Sequence, residues 1–351
     1  MNKQEKIASF DPSGIGFNND HFVGLPFKED DASVVLFPVP WDVTVSYNDG
    51  TVKGPDNILS ASPQLDLYDE DVPDAWKMGL FMRPSNKEWA ARNKELRAKA
   101  LSYIEWLEEG SPSGNEAEME ARRRKINAAC LDLKDWVKEE TSALLERGKR
   151  VGLIGGDHST PLGFLEALAE RHEDFGILQI DAHMDLRKAY EGFDYSHASI
   201  FYNALQLPQI TKLVQVGIRD YCEEEIALAK EDDRVQVFHE KDIRTHLYMG
   251  GTFASLCAKM IEALPQKVYI SFDIDGLDPK LCPGTGTPVP GGFELQEVFY
   301  LFRQIIASGR ELIGFDVCEV AGEGDWDGNV GARVAYKLSN LLGRDILLNN
   351  E

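Results

Sequence analysis

The sequence predicts an α/β fold built on a doubly wound, mostly parallel sheet. Short apolar runs rich in β-branched residues, each bounded by Gly, Pro or Asp, alternate with stretches in which apolar residues recur at helical spacing. Such alternation favours parallel strands joined by helices. The predicted strands, in order, are residues 34–39, 151–154, 176–180, 212–217, 235–238, 267–272 and 311–315. The predicted helices between them include residues 162–171, 223–230, 255–264 and 295–308.

Residues 86–150 depart from this alternation. They show no strand pattern and are rich in Glu, Lys, Arg and Ala at helical spacing, with a cluster of helix-breaking residues at 109–114. We therefore expect a long helical hairpin, inserted after the first strand, whose second arm at 117–146 leads to the strand at 151. A solvated structural element and an oligomer contact are the two roles that such a hairpin allows.

Composition excludes one broad class of function. The 351 residues include 37 Lys and Arg against 59 Asp and Glu, a net charge of −22, whereas a general nucleic-acid binder needs clustered positive charge. No apolar run approaches the roughly 20 residues that span a bilayer, and the N-terminus lacks a signal-peptide core. We expect a soluble cytoplasmic protein with no nucleic-acid or membrane partner. Its five cysteines are scattered without a C-x-x-C pair, which indicates reduced side chains without a zinc or redox role.

Acidic residues and histidines directly follow or end three of the predicted strands. The segments are Gly-Gly-Asp-His-Ser at 155–159, Asp-Ala-His-Met-Asp at 181–185 and Ser-Phe-Asp-Ile-Asp-Gly-Leu-Asp-Pro at 271–279. Residues two apart in a strand project to the same side. The carboxyl ends of parallel strands share one edge of the sheet, where ligands bind in such folds. There the segments would combine four aspartates with two histidines: His158, Asp181, His183, Asp185, Asp273 and Asp275.

Four neighbouring carboxylates need compensating positive charge, which a pair of divalent cations supplies. Carboxylate and imidazole ligands without thiolates favour Mn, with Fe, Co, Ni or Zn possible and Ca or Mg less natural. Two such ions share a bridging hydroxide, a strong nucleophile at neutral pH, so the sequence predicts metal-assisted hydrolysis. Taken singly, the first segment is equally consistent with a tight turn and the third with a calcium loop, although the glutamate of an EF-hand is missing.

The three segments resemble the metal signatures of the arginase/agmatinase/formimidoylglutamase (ureohydrolase) family, and agmatinase-like members are the most similar. Further matches lie at 54–55, 283–288 and 316–320, and the resemblance covers about residues 33–62 and 148–343. It implies a three-layer arginase-type fold in which residues 1–351 form a single ureohydrolase domain, with residues 86–150 as the inserted helical hairpin. It also implies a homo-oligomer, commonly a trimer or hexamer.

The resemblance further implies two Mn²⁺ per chain, with Ni, Co or Fe as alternatives. One ion would be bound by His158, Asp181, Asp185 and Asp273, and the other by Asp181, His183, Asp273 and Asp275, with Asp181 and Asp273 bridging. Each histidine would bind through one ring nitrogen while an acceptor fixes the other. Asp157 is a candidate acceptor, and capping of the helix after Ser159 is its alternative role.

The reaction implied is cleavage of a C–N bond of a guanidino compound, with release of urea. The hydroxide attacks the guanidinium carbon, and Asp185 and His197 match the groups that carry the proton to the leaving amine. Glu319 matches the carboxylate that pairs with the guanidinium, and Thr287 and His197 are candidate substrate contacts. On the residues alone, His197 is equally consistent with a helix start, and Glu319 with a structural ion pair.

The substrate stays open at this point. Arg187 stands where arginases carry an asparagine that contacts the substrate α-carboxylate, and it suits a carboxylate that agmatine lacks. An ion pair with Glu191 or another acid is its structural alternative. The loop at 321–328 departs from the family pattern near the expected distal end of the substrate, where Trp41, Tyr47 and Trp326 either line a pocket or pack.

We therefore expect an agmatinase-like enzyme. The alternatives are an arginase, a guanidino-acid or guanidine hydrolase, and a formimidoylglutamase, whose substrate is anionic like the one that Arg187 suits. A non-catalytic homologue is disfavoured because every ligand and the shuttle histidine are present.

Overall fold

A computed structural model describes residues 1–17 and 19–348. Within these residues, eight strands form one sheet in the order β2-β1-β3-β8-β7-β4-β5-β6, and every neighbouring pair is parallel. The strands are β1 (Val34–Val39), β2 (Leu80–Met82), β3 (Arg150–Gly155), β4 (Phe175–Ile180), β5 (Ile210–Ile218), β6 (Val235–His239), β7 (Lys267–Asp273) and β8 (Glu311–Cys318). The predicted parallel α/β fold is therefore confirmed.

Helices cover both faces of the sheet and make a three-layer structure. They are α1 (Lys3–Ser9), α2 (Gly54–Ala61), α3 (Lys87–Glu108), α4 (Glu116–Glu146), α5 (Leu162–Ala169), α6 (Ile200–Ala204), α7 (Glu223–Glu231), α8 (Glu240–Tyr248), α9 (Phe253–Glu262), α10 (Leu295–Ala307) and α11 (Asp325–Leu348). In β1, Val34 and Leu36 belong to the core beneath α2 and α8–α11, while Val35 and Phe37 belong to the core beneath α3–α6. This period of two explains why a central strand reads as one continuous apolar run.

The region predicted as a helical hairpin consists of the long helices α3 and α4, which contact each other through Trp89 and Trp136, with ring centroids 5.3 Å apart. Gly110 and Gly114, in the intervening turn, have φ values of 81° and 112°, which favour glycine. The pair follows β2 and not the first strand, a difference from the expectation. Its identity as an insertion within a single domain stays a prediction.

The structure also differs from the sequence pattern at the C-terminal end. Residues 319–324 separate β8 from α11, so the second half of the expected loop at 321–328 is the first turn of a helix. Among the described helices, none combines the length and the apolar character that crossing a membrane requires.

Candidate metal centre and active site

The three chemistry-bearing segments converge at the carboxyl edge of the sheet. His158 follows β3 by three residues, Asp181 follows β4 directly, and Asp273 ends β7. Strands β7 and β4 are neighbours, and β8 alone separates β7 from β3. The parallel strands therefore deliver all three segments to one place, as the sequence pattern requires.

A first cluster forms around His158. Its Nδ1 lies 3.0 Å from Oδ2 of Asp181, 3.1 Å from Oδ2 of Asp185 and 3.3 Å from Oδ2 of Asp273. All four residues are buried. Although three carboxylate oxygens surround this nitrogen, it has no hydrogen-bond partner among the described residues. This nitrogen and the three carboxylate oxygens are four ligand atoms that face one another, and they fit a cation between them.

A second cluster adjoins the first and shares Asp181. His183 Nδ1 lies 3.1 Å from Oδ2 of Asp275 and 3.6 Å from Oδ1 of Asp181. Asp181 thus presents one oxygen to each histidine, which is the geometry of a bridging carboxylate. Asp273 faces His158 through Oδ2, and its Oδ1 accepts the Asp275 backbone N–H at 2.8 Å, as Oδ1 of Asp181 accepts the His183 backbone N–H at 2.7 Å.

The electrostatics of these clusters call for positive charge. Burial, followed by repulsion from Asp181, raises the pKa of Asp185 to about 7. Burial also raises the pKa of Asp273 well above its usual range, and the charges of Asp275 and Asp181 raise it further. Carboxylates crowded in this way stay ionised together only beside cations. The residues present therefore fit a pair of divalent metal ions.

The orientation of His158 comes from a hydrogen-bond chain that the sequence reasoning missed. Its Nε2 lies 2.9 Å from Oγ of Ser271, which donates to Oδ2 of Asp316 at 2.7 Å. Asp157 instead accepts bonds from the backbone N–H and the hydroxyl of Ser159, which closes a local turn. Helix α5 begins only at Leu162, behind Pro161 and without a side-chain cap, so the capping role expected for Asp157 is wrong. A signal for Ser271 was present, since it precedes Asp273 by two residues in β7 and shares its side.

Two further contacts position the aspartates. Gln179 Nε2 donates to Oδ2 of Asp181 at 2.8 Å, and Gln215 Nε2 in turn donates to Oε1 of Gln179 at 2.6 Å. The hydroxyl of Thr287 donates to Oδ2 of Asp275 at 3.3 Å. These bonds fix the orientation of the two carboxylates.

A cavity of about 170 Å³ lies over the two clusters. His158, His183, Asp185 and Asp273 form part of its lining. The four residues predicted to act on substrate also line it, namely Arg187, His197, Thr287 and Glu319. The structure thus brings all the predicted site residues into one site or directly against it.

His197 begins a short 3₁₀ turn ahead of α6 and also lines the cavity. Ser196 caps this turn by accepting the Ala198 N–H at 3.2 Å, which leaves the imidazole free of that role. Burial, followed by the charge of the nearby His183, lowers the pKa of His197 to about 3. The imidazole at the cavity wall is therefore neutral at physiological pH.

Glu319 follows β8 and turns a carboxylate towards the cavity. Its Oε1 accepts the backbone N–H of His158 at 3.0 Å, whereas its buried Oε2 has no hydrogen-bond partner in the described part of the chain. Burial raises the pKa of this carboxyl group well above its usual range. A Cβ at Gly286 would lie 3.1 Å from Oε2, so glycine keeps this side open. An unpaired oxygen here fits a cationic hydrogen-bond donor.

Backbone strain coincides with these functional positions. Asp185 and Glu319 adopt φ values of 53° and 62°, in the left-handed region that non-glycine residues rarely occupy. Conformations of this kind cost of order 1–3 kcal/mol and cluster at active sites. The fold therefore retains two strained residues that both face the cavity.

Arg187 belongs to the outer wall of the cavity. It stacks on Tyr190, with Cζ 4.7 Å from the ring centroid, and its Nε lies 4.0 Å from Glu225, which is the acid beside it. The aromatic lining comes from Tyr190 and Tyr221.

The expected pocket aromatics have other positions. Trp41 is fully buried and packs edge-on against Trp89 at 5.8 Å, whereas Tyr47 and Trp326 are exposed. Trp326 Nε1 donates to the Lys280 carbonyl at 3.0 Å. The pocket role suggested for these three side chains is therefore wrong, and for Trp41 the packing alternative holds.

Fold and site together define a hydrolase with a two-metal centre at the edge of a parallel sheet. A family model described as "Arginase family" matches residues 32–342. The chain belongs to the arginase family.

Individual relatives agree with this assignment. An N(1)-aminopropylagmatine ureohydrolase of Thermus thermophilus is 31% identical over 320 residues, which cover 91% of this chain and 92% of the relative. An agmatinase of Bacillus anthracis is 28% identical over 292 residues, 83% of this chain and 84% of the relative. The fold is also that of an agmatine ureohydrolase of Thermoplasma volcanium, with a TM-score of 0.68 at 22% identity, covering 98% of this chain and 99% of that one.

Proposed function

We propose that this chain hydrolyses a guanidino compound to urea and an amine, in the manner of an agmatinase, at a centre that binds two Mn²⁺. The observation that carries the proposal is the cavity over two ligand clusters joined by Asp181, with the unpaired Oε2 of Glu319 at its wall. The site thus offers both ligands for cations and a hydrogen-bond acceptor for a planar cationic group.

In this proposal His158, Asp181, Asp185 and Asp273 would hold one ion, and Asp181, His183, Asp273 and Asp275 would hold the other. When bound, the two ions supply Lewis acidity and lower the pKa of a shared water, which provides a nucleophile at neutral pH. Mn²⁺ is proposed because the ligand atoms are oxygen and imidazole nitrogen; the same set accepts Ni, Co or Fe.

The side chains of the cavity perform the remaining steps. Glu319 Oε2 accepts hydrogen bonds from the substrate guanidinium and orients its carbon towards the metal ligands. Asp185, whose carboxylate lines the cavity beside His158, holds the proton released during attack. The imidazole of His197 passes a proton to the leaving amine, which departs as a neutral molecule. Thr287 holds Asp275 in place and reaches the cavity wall.

A second substrate class is favoured by one observation. The guanidinium of Arg187 lines the cavity and is one-third exposed. Stacked on Tyr190, it suits a carboxylate at the distal end of a guanidino acid, which agmatine does not carry. Asp220 and Glu225 also line the cavity, and their carboxylates suit a substrate that carries an amine at its distal end.

Product analysis tests the function and separates the two substrate classes. Urea and ammonia release are measured from Mn-loaded and Ni-loaded enzyme with agmatine, N(1)-aminopropylagmatine, arginine, guanidinobutyrate, guanidinopropionate, guanidine and formimidoylglutamate. We expect urea from one guanidino compound at a kcat/KM far above the others. Arg187→Met should then raise KM for guanidinobutyrate selectively if the arginine binds a carboxylate, by roughly ten- to a hundredfold. Formamide from formimidoylglutamate alone, or no turnover with two metals bound, would contradict the proposal.

We also propose that the protein is a cytoplasmic homo-oligomer, a trimer or hexamer. The resemblance described above supports the assembly. The five cysteines, which are all free, support a reducing compartment. Light scattering of the Mn-loaded protein measures the subunit number, and a monomer would contradict the proposed assembly.

A further inference from the structure

The loop of residues 42–50 lies against helix α3, and Arg97 of this helix is packed into it. The Arg97 side chain is only 11% exposed. Its Nη1 donates to the backbone carbonyl oxygens of Val45 at 2.6 Å and Val43 at 3.3 Å, and its Nε lies 3.6 Å from the carboxylate of Asp49. A guanidinium withdrawn from water is costly unless acceptors and opposite charge surround it. Here the loop supplies all of these partners.

The two carbonyls that bind Arg97 flank a residue that reaches the active site. Thr44 lies between them, and its backbone lies beside the imidazole of His197. Ser46, the residue after Val45, lines the cavity. Arg97 is not among the described residues that line the cavity, so it lies behind the cavity wall.

A second contact of α3 joins both ends of the same loop. Asn93 is one helical turn before Arg97 and on the same side of the helix. Its Oδ1 accepts the Asp42 backbone N–H, and its Nδ2 donates to Oδ1 of Asp42, each at 2.7 Å. The other Asp42 oxygen accepts the N–H groups of Gly50 at 2.8 Å and Val52 at 3.1 Å. The loop is thus closed at Asp42 and attached to α3 at two points.

We propose that Arg97 is a positioning residue for the active site: it fixes the turn that carries Thr44 and Ser46 and so sets where the His197 imidazole lies relative to the substrate. The inference rests on the proposed function, because it takes His197 to transfer a proton. Catalytic groups displaced by about 1 Å can lose on the order of a hundredfold in rate, which is the scale on which such positioning acts.

Arg97→Met tests this inference, because it removes the donors while keeping much of the apolar length of the side chain. We expect kcat to fall roughly ten- to a hundredfold with a smaller change in KM. Two metals per chain should still bind. Hydrogen exchange of the 42–50 segment should accelerate, whereas exchange in β7 should not change. Arg97→Lys, which keeps a donor and the charge, should restore part of the kcat and of the exchange protection.

Arg92→Met is the matched control, since Arg92 lies on the same helix, pairs with Asp132 on α4 and stacks on Trp89. It should lower thermal stability comparably without changing kcat or exchange in the 42–50 segment. Equal kcat values for Arg97→Met and wild type, or equal exchange of the loop, would overturn the inference. A wild-type enzyme that releases no urea would instead overturn the proposed function, and the exchange result would still report on the loop. If Arg97→Met does not fold, the Arg97→Lys measurements decide by the same criteria.

Discussion

The metal-binding edge and the outer wall of the cavity are built in different ways. At the edge, Asp181 and Asp273 sit at the ends of buried strands, where the pleat and the register of the parallel sheet determine their direction. At the outer wall, Arg187, Tyr190 and Tyr221 lie on loops. The path of such loops depends on contacts with helices far away in sequence. Chemistry common to a family can thus be encoded locally, while substrate selection depends on the packing of the whole chain.

The largest expected effect comes from the residue shared by both clusters. Asp181→Asn keeps the size of the side chain but removes the charge that faces both histidines, at 3.0 and 3.6 Å. We expect urea release to fall below detection and metal content to fall from two ions to at most one per chain. Elemental analysis of the purified variant, together with the product assay, measures both.

Asp278→Asn is the control for that experiment. Asp278 belongs to the same strand-end segment but accepts the Lys280 N–H at 3.0 Å and lies outside both clusters. This variant should keep two metals and its activity. If Asp181→Asn also retained two metals, the shared-ligand geometry would be wrong.

A loop residue should give a large loss of a different kind. His197→Asn removes the imidazole from the cavity wall without touching a proposed ligand, so metal content should stay at two per chain. We expect kcat to fall by roughly 10²- to 10⁴-fold, the usual contribution of a positioned acid–base group. His172→Asn, at the opposite end of the sheet beside Lys267, should have no effect on kcat. Loss of metal from His197→Asn would mean that the metal-binding edge and the outer wall of the cavity do not act separately.

The smallest of these effects should come from the hydrogen-bond chain behind His158. Ser271→Ala removes the partner of His158 Nε2 and breaks its link to Asp316. Such changes weaken metal binding by roughly 10- to 100-fold. A competition titration with a metal-binding dye measures this shift. Ser255→Ala is the matched control, since Ser255 forms a similar 2.8 Å contact with the exposed His246. Equal affinities in both variants would remove Ser271 from this role.

Much of the sheet edge was predictable because strand period and strand ends are local properties. The three segments and all six candidate ligands follow from apolar runs that end in acidic residues. Ser271 followed the same rule and was overlooked. Strand β2 was missed because three residues are too short for a pattern, and it pairs only with β1.

Other elements depend on tertiary contacts that no local sequence pattern indicates. Helix α11 contains Gly328, Gly331 and Gly343, which disfavour a helix but allow close approach: a Cβ at Gly343 would lie 2.2 Å from Met78. The sequence left the acid beside Arg187 as Glu191 or another acid, and it is Glu225 on α7. The sequence left Trp41 as either a pocket residue or a packing residue, and it packs against Trp89 of helix α3. In each case tertiary packing decided the outcome.

Anomalous diffraction from crystals of the Mn²⁺-loaded protein tests the central claim most directly. The account predicts two peaks roughly 3.5–4 Å apart. One should lie among His158, Asp181, Asp185 and Asp273, and the other among Asp181, His183, Asp273 and Asp275, with Asp181 and Asp273 in contact with both. A single peak, or peaks away from these side chains, would contradict a two-metal centre at the carboxyl edge of the sheet.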